Sequence, residues 1–125
     1  MIYQYTISGS PIVKKNTQKV VRSRGRTFVV YSPQYRAWND RAMDELAIQK
    51  RPSEPIDYPI ILLCNFFIQT KRVVDLSALY EGIQDTLVEM DILLDDNYKI
   101  VVGHDGSRVF HDKNNPRTEV KIIPL

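Results

Sequence analysis

The chain has 125 residues, of which 43% are apolar and 26% charged, and a net charge of +2. That describes one domain, residues 1–125, with no apolar run long enough for a membrane span and no signal-peptide pattern, so a soluble, cytoplasmic protein is expected. The single cysteine, Cys64, excludes an intrachain disulfide and reads as a core thiol, and two histidines without cysteine partners, His104 and His111, argue against a zinc site.

The small net charge conceals an asymmetry. Residues 1–39 contain Lys14, Lys15, Lys19, Arg22, Arg24, Arg26 and Arg36 but no Asp or Glu, which makes them a candidate phosphate-binding surface as well as a possible solvated edge. Met1 to Ser8 carries the alternation of a first strand, broken by Gly9, Ser10 and Pro11. Lys14 and Lys15 fall on an extended segment. Lys19 to Arg22 and Thr27 to Tyr31 read as a hairpin around Ser23-Arg24-Gly25-Arg26, whose basic tip would reach a groove or phosphates, although such tips are often only soluble turns.

Ser32-Pro33 starts a helix, with Ser at the N-cap and Pro at the first helical position. Tyr35, Trp38, Ala42, Leu46 and Ile48 form its buried face, and it should end before Arg51-Pro52, leaving a surface loop to Asp57. Tyr58 to Gln69 is the strongest strand signal; its near-continuous apolarity places it centrally in the sheet, with both faces covered. Thr70-Lys71-Arg72 leads from it into Asp75, so Lys71 and Arg72 are candidates to hold a phosphate.

From Asp75 to about Glu89 a helix is expected, with Leu76, Leu79, Tyr80, Ile83, Leu87 and Met90 on one face and Asp75 at the N-cap. Between Asp75 and Asp96 there are seven acids and no Lys, Arg or His. Unpaired carboxylates repel unless a cation neutralises them, and hard ions such as Mg²⁺ or Mn²⁺ take oxygen ligands. Asp75 and Asp85 lie about 15 Å apart along a helix, too far to share an ion, so Asp85 reads as structural. The chain after Glu89 is just long enough to return Asp95 or Asp96 beside Asp75, which makes these the candidate metal ligands. Beyond them, Tyr98 to Val102 reads as a strand and Gly103 to Arg108 as a tight polar loop, from which His104 and Arg108 would line a substrate cleft unless it is simply a turn. Thr118 to Ile123 forms a final strand, and the whole is an α+β domain: two main helices on a mixed sheet of five or six short strands.

The acidic stretch resembles the RusA family of Holliday-junction resolvases. Asp75, Asp85, Leu87, Asp95 and Asp96 match the family's spacing without a gap, while Ser77 stands where its second catalytic Asp belongs, Ala78 replaces its Asn and Glu81 its Lys. The resemblance implies Asp75 and Asp96 as metal ligands with Asp95 beside them. Glu81, one turn beyond Ser77, is the candidate to restore the missing charge. Lys14 and Lys15 match a Pro-x-x-Lys-Lys element that implies DNA-backbone contact. The expectation is therefore a homodimeric endodeoxyribonuclease of bacterial or phage type. It would use Mg²⁺ or Mn²⁺ and no organic cofactor to nick four-way junctions in recombination and repair, leaving a 5′-phosphate. Two other readings are a branched-DNA-binding protein impaired in catalysis by Ser77 and a basic accessory protein whose acids dock a partner.

Overall fold

The computed structural model describes residues 1–14 and 18–125. Its elements are β1 (Tyr3–Ser8), β2 (Gln18–Ser23), β3 (Arg26–Tyr31), α1 (Pro33–Ala47), β4 (Ile60–Ile68), α2 (Leu76–Glu89), β5 (Val101–Gly103), β6 (Arg108–His111) and β7 (Arg117–Pro124). They form an α+β fold in which five strands make one mixed sheet and β2–β3 a separate ribbon. β7 lies between β1 and β4, antiparallel to both, and β5 and β6 run parallel to β4 along its other edge. Among the described residues, no helix is long and apolar enough to cross a membrane.

β4 is central, as its apolarity predicts, but only one of its faces is fully covered. Ile60, Leu62, Cys64, Phe66 and Ile68 are buried, while Ile61, Leu63, Asn65 and Phe67 are half-buried. The reason is that both helices join the same core: Tyr35, Trp38, Ala42 and Leu46 of α1 and Leu79, Tyr80, Ile83 and Leu87 of α2 pack with Tyr5, Ile7, Val120 and Ile122 of the flanking strands. Among the described residues no helix covers the opposite sheet face, so an apolar run here does not imply two covered faces.

Local chemistry fixes the ends of the elements. Ser32 caps α1, its hydroxyl accepting the Tyr35 N–H at 3.2 Å. Ile48, expected on the buried face of α1, is 87% exposed, because the helix stops at Ala47 and Ile48 is its C-cap. The free edge of β1 is covered by side chains of α1 and the residues just after it: Gln49 accepts the Thr6 N–H at 3.1 Å and donates to the Thr6 carbonyl at 2.9 Å, and Glu45 accepts the Ser8 N–H at 3.1 Å. The predicted hairpin is present, turning at Arg24 and Gly25, whose positive φ values of 51° and 75° match the twist of the two strands.

The stretch after α2 departs from expectation. The strand expected from Tyr98 starts only at Val101, because the N–H groups of Ile100 and Val101 both turn back to the Asn97 carbonyl, at 3.0 and 2.9 Å. The loop expected through Arg108 is a break between two short strands laid end to end along β4, the second of which, β6, is not expected from the sequence. Side chains satisfy the backbone groups that the break leaves over. The Cys64 N–H donates to Ser107 Oγ at 3.0 Å and to Tyr80 Oη at 3.3 Å, and the Tyr80 hydroxyl donates to the Leu62 carbonyl at 3.2 Å.

Candidate metal and nucleic-acid site

A left-handed cap after α2 reverses the chain ahead of the tandem aspartates. Asp91 takes a left-handed conformation (φ 57°), and the N–H groups of Asp91 and Ile92 close on the carbonyls of Val88 and Leu87 at 3.0 Å each. This cap reverses the chain without a glycine, since Asp tolerates the left-handed region better than most side chains. Ile92 and Leu93 are buried behind it, and Ile56 anchors them through two 2.9 Å backbone bonds, Ile56 N–H to Ile92 and Leu94 N–H to Ile56.

Within that turn the two aspartates differ. Asp95 is engaged by its own loop, accepting the Asp96 N–H at 2.7 Å and the Asn97 side-chain amide at 3.0 Å, and these bonds hold its carboxyl below the ordinary range. Asp96 is half-buried. Its carboxyl is raised, first by partial desolvation, then by the Asp95 carboxyl and the charges of Asp85 and Asp95. Asp85, read from the sequence as structural, is thus one of the groups that act on Asp96.

Asp75 occupies the N-cap of α2, but its carboxylate makes no cap hydrogen bond. It is exposed on a hollow of about 440 Å³ between Ser10–Val13 and Thr70–Ala78, which Arg72 also lines. The cap reading of Asp75 therefore describes its backbone and leaves its carboxylate without that role. Ser77 and Glu81 are exposed farther along the helix. Among the described residues, no three Asp, Glu, His or Cys side chains converge as a ready-made metal cluster. A Mg²⁺ or Mn²⁺ ion needs only one or two protein carboxylates, with water and substrate phosphate completing its shell.

The basic residues are divided. Arg22, Arg24 and Arg26 are exposed at the ribbon tip, and Lys71 and Arg72 are exposed just before Asp75. Arg108 is exposed on β6 and donates to the Ser107 carbonyl at 3.1 Å. Lys15 lies outside the described residues. Lys19 sits on β2, paired with Val30. The Lys14 ammonium is bonded to the carboxylate of Asp85, a contact between residues 71 apart in sequence for which local pattern carries no signal. His104 stacks on the Tyr80 ring, centroids 3.7 Å apart, with its Nε2 2.8 Å from Gln84 Oε1, and desolvation lowers its pKa. It therefore packs against α2.

Neither a protein-family model nor a curated protein sequence matches the chain.

Proposed function

We propose that the chain is a divalent-metal-dependent endodeoxyribonuclease that cuts Holliday junctions or other branched DNA. The supporting observation is spatial: the acid-free basic block and the base-free acidic stretch, far apart in sequence, lie against one another where Lys14 meets Asp85. Phosphodiester hydrolysis requires such a neighbourhood, with positive charge to hold the DNA backbone and negative charge to hold a cation. The carboxylate of Asp75, unused by its helix, and the crowded carboxyl of Asp96 are the groups that would hold Mg²⁺ or Mn²⁺.

Bound there, the ion would supply a Lewis acid for the phosphate and a water more acidic than bulk. The chain's own residues account for the rest. Lys71 and Arg72 would draw the scissile phosphate towards Asp75 and offset its repulsion from the acids. The arginines of the ribbon tip would hold the flanking backbone, and Asp95 would act by ordering the turn that presents Asp96. Glu81 is the nearest helical acid to replace the charge absent at Ser77.

A synthetic four-way junction should be nicked with Mg²⁺ or Mn²⁺ and left intact in EDTA, where a gel shift should still form and weaken steeply with salt. Binding without cleavage would leave the reading of an impaired junction-binding protein, and salt-insensitive binding or none would remove DNA from the account.

A homodimer belongs to the same proposal, because two symmetric nicks need two active sites. The uncovered sheet face carries Ile61, Leu63 and Phe67, with Phe110 stacked on Phe67 at 5.0 Å and 43% exposed. Glu119, which accepts from Arg117 at 2.9 Å, and Lys121 share that face two residues apart on β7, an arrangement that can pair with itself about a two-fold axis. Light scattering should give twice the chain mass of 14.5 kDa, and a monomer mass at micromolar concentration would overturn this part.

A further inference from the structure

We propose that Lys14 and Asp85 form the joint that aims the basic ribbon at the acidic helix, so that Lys14 is a positioning residue and not a phosphate contact. The inference rests on the DNA-binding reading above and assigns Lys14 a role different from the one its sequence context implies. Among the described residues, the ribbon β2–β3 hydrogen-bonds to no strand of the main sheet, so its direction depends on contacts at its base. The Lys14 ammonium supplies three of those contacts. It is bonded to Asp85 on α2 and lies 4.8 Å from the ring centroid of Tyr31, the last residue of β3, and 6.0 Å from that of Tyr35 on α1. Tyr31 and Tyr35 are themselves in contact, with centroids 5.5 Å apart.

One cation thus ties the segment leading into the ribbon, the end of the ribbon and both helices together. The Lys14 side chain is only 20% exposed, and Asp85 is 43% exposed. An ammonium covered to that degree, facing a carboxylate and two ring faces, is satisfied from within. Meeting a phosphate would require Lys14 to give up Asp85, leaving a part-buried carboxylate next to Asp96.

The test is a double-mutant cycle read by junction binding in EDTA between 50 and 200 mM salt, with thermal melts of the same four proteins. Lys14→Met and Asp85→Asn should each weaken binding by roughly threefold to tenfold, the size of a contact-pair coupling, and the double variant should be no worse than either single one. The slope of log affinity against log salt should stay at the wild-type value in all three. A lysine on a phosphate behaves otherwise: Lys14→Met alone would lower the slope by about 0.9, and Asp85→Asn would leave binding unchanged or tighten it. That pattern overturns the proposal. If the wild type binds no junction, the DNA reading fails and the melts decide the pair by themselves. Loss in each single variant with recovery in the double supports the joint, and additive losses refute it.

Discussion

Replacing Asp96 by Asn is expected to lower ion-dependent cleavage by at least about 100-fold while leaving the gel shift in EDTA at wild-type strength, because an amide removes the charge that holds the ion but not the basic surface. The same substitution should raise the melting temperature at neutral pH. The Asp96 carboxyl is raised in the folded chain, first by partial desolvation and then by the Asp95 carboxyl and the charges of Asp85 and Asp95. A carboxyl raised on folding binds its proton more tightly in the native state, so stability falls as pH rises from the ordinary carboxyl value of about 3.9 through the raised folded value. At neutral pH the full penalty is present, and Asn relieves it; below the ordinary range the two proteins should converge. Mg²⁺ should narrow the gap by stabilising the wild type alone. Calorimetric melts over pH, with and without Mg²⁺, check this. A variant that melts lower than the wild type at neutral pH, or that still cuts, would remove Asp96 from the site. Glu81→Gln is the companion measurement, since full Mg²⁺-dependent cleavage by that variant excludes Glu81.

Features written into local chemistry were legible before the structure. Ser32-Pro33 announced the start of α1, Arg24-Gly25 the ribbon turn and the i, i+3, i+4 pattern of Leu79, Tyr80, Ile83 and Leu87 the buried face of α2. What misled was the inference from apolarity to burial on both sides of β4. Ile61, Leu63 and Phe67 are as apolar as their buried neighbours, and nothing in the strand itself reveals that α1 and α2 choose the same side of the sheet. β6 carries little strand signal of its own, since Arg108–His111 is four residues long and opens on a charge, and its pairing with β4 is a tertiary fact.

The candidate site is legible in the sequence as a spacing of acids, and its geometry is not. The acid spacing singles out Asp75 and Asp96, and chain length allows Asp95 or Asp96 to return beside Asp75. The helical carboxylate whose charge acts on Asp96 is that of Asp85, and the path of the chain between them depends on the left-handed Asp91 and on the bonds of Ile92 and Leu94 to Ile56, both tertiary facts. Asp95 and Asp96 are adjacent in sequence yet differ in state, since one accepts the hydrogen bonds of its own turn and the other is crowded by neighbouring carboxyls. Lys14 illustrates the limit from the other side. Its place in a basic run suggested DNA, while its partner Asp85 lies across the fold.

The one-sided core yields the largest stability effect. Phe66→Ala is expected to cost about 3–5 kcal/mol, against about 1 kcal/mol for Phe67→Ala on the next residue of the same strand. Phe66 is 1% exposed and meets Tyr80 edge-on, ring centroids 5.5 Å apart. Its loss opens a cavity and also loosens the ring whose hydroxyl bridges Leu62 and Cys64 at the break between β5 and β6. Phe67 faces away from the helices, resting on Phe110 and beneath the Arg117 guanidinium, 3.7 Å from the ring centroid, so its removal exposes surface that is already wet on one side. A small domain has about 5–15 kcal/mol of stability in all, so the first variant should unfold at far lower urea and the second near the wild-type midpoint. Urea midpoints measured at two protein concentrations distinguish the two faces further, because a loss at Phe67 that grows on dilution would arise from the protomer contact and not from the core. Equal losses at the two positions, independent of concentration, would mean that both faces of β4 are covered within one chain, contrary to the placement of α1 and α2 on a single side.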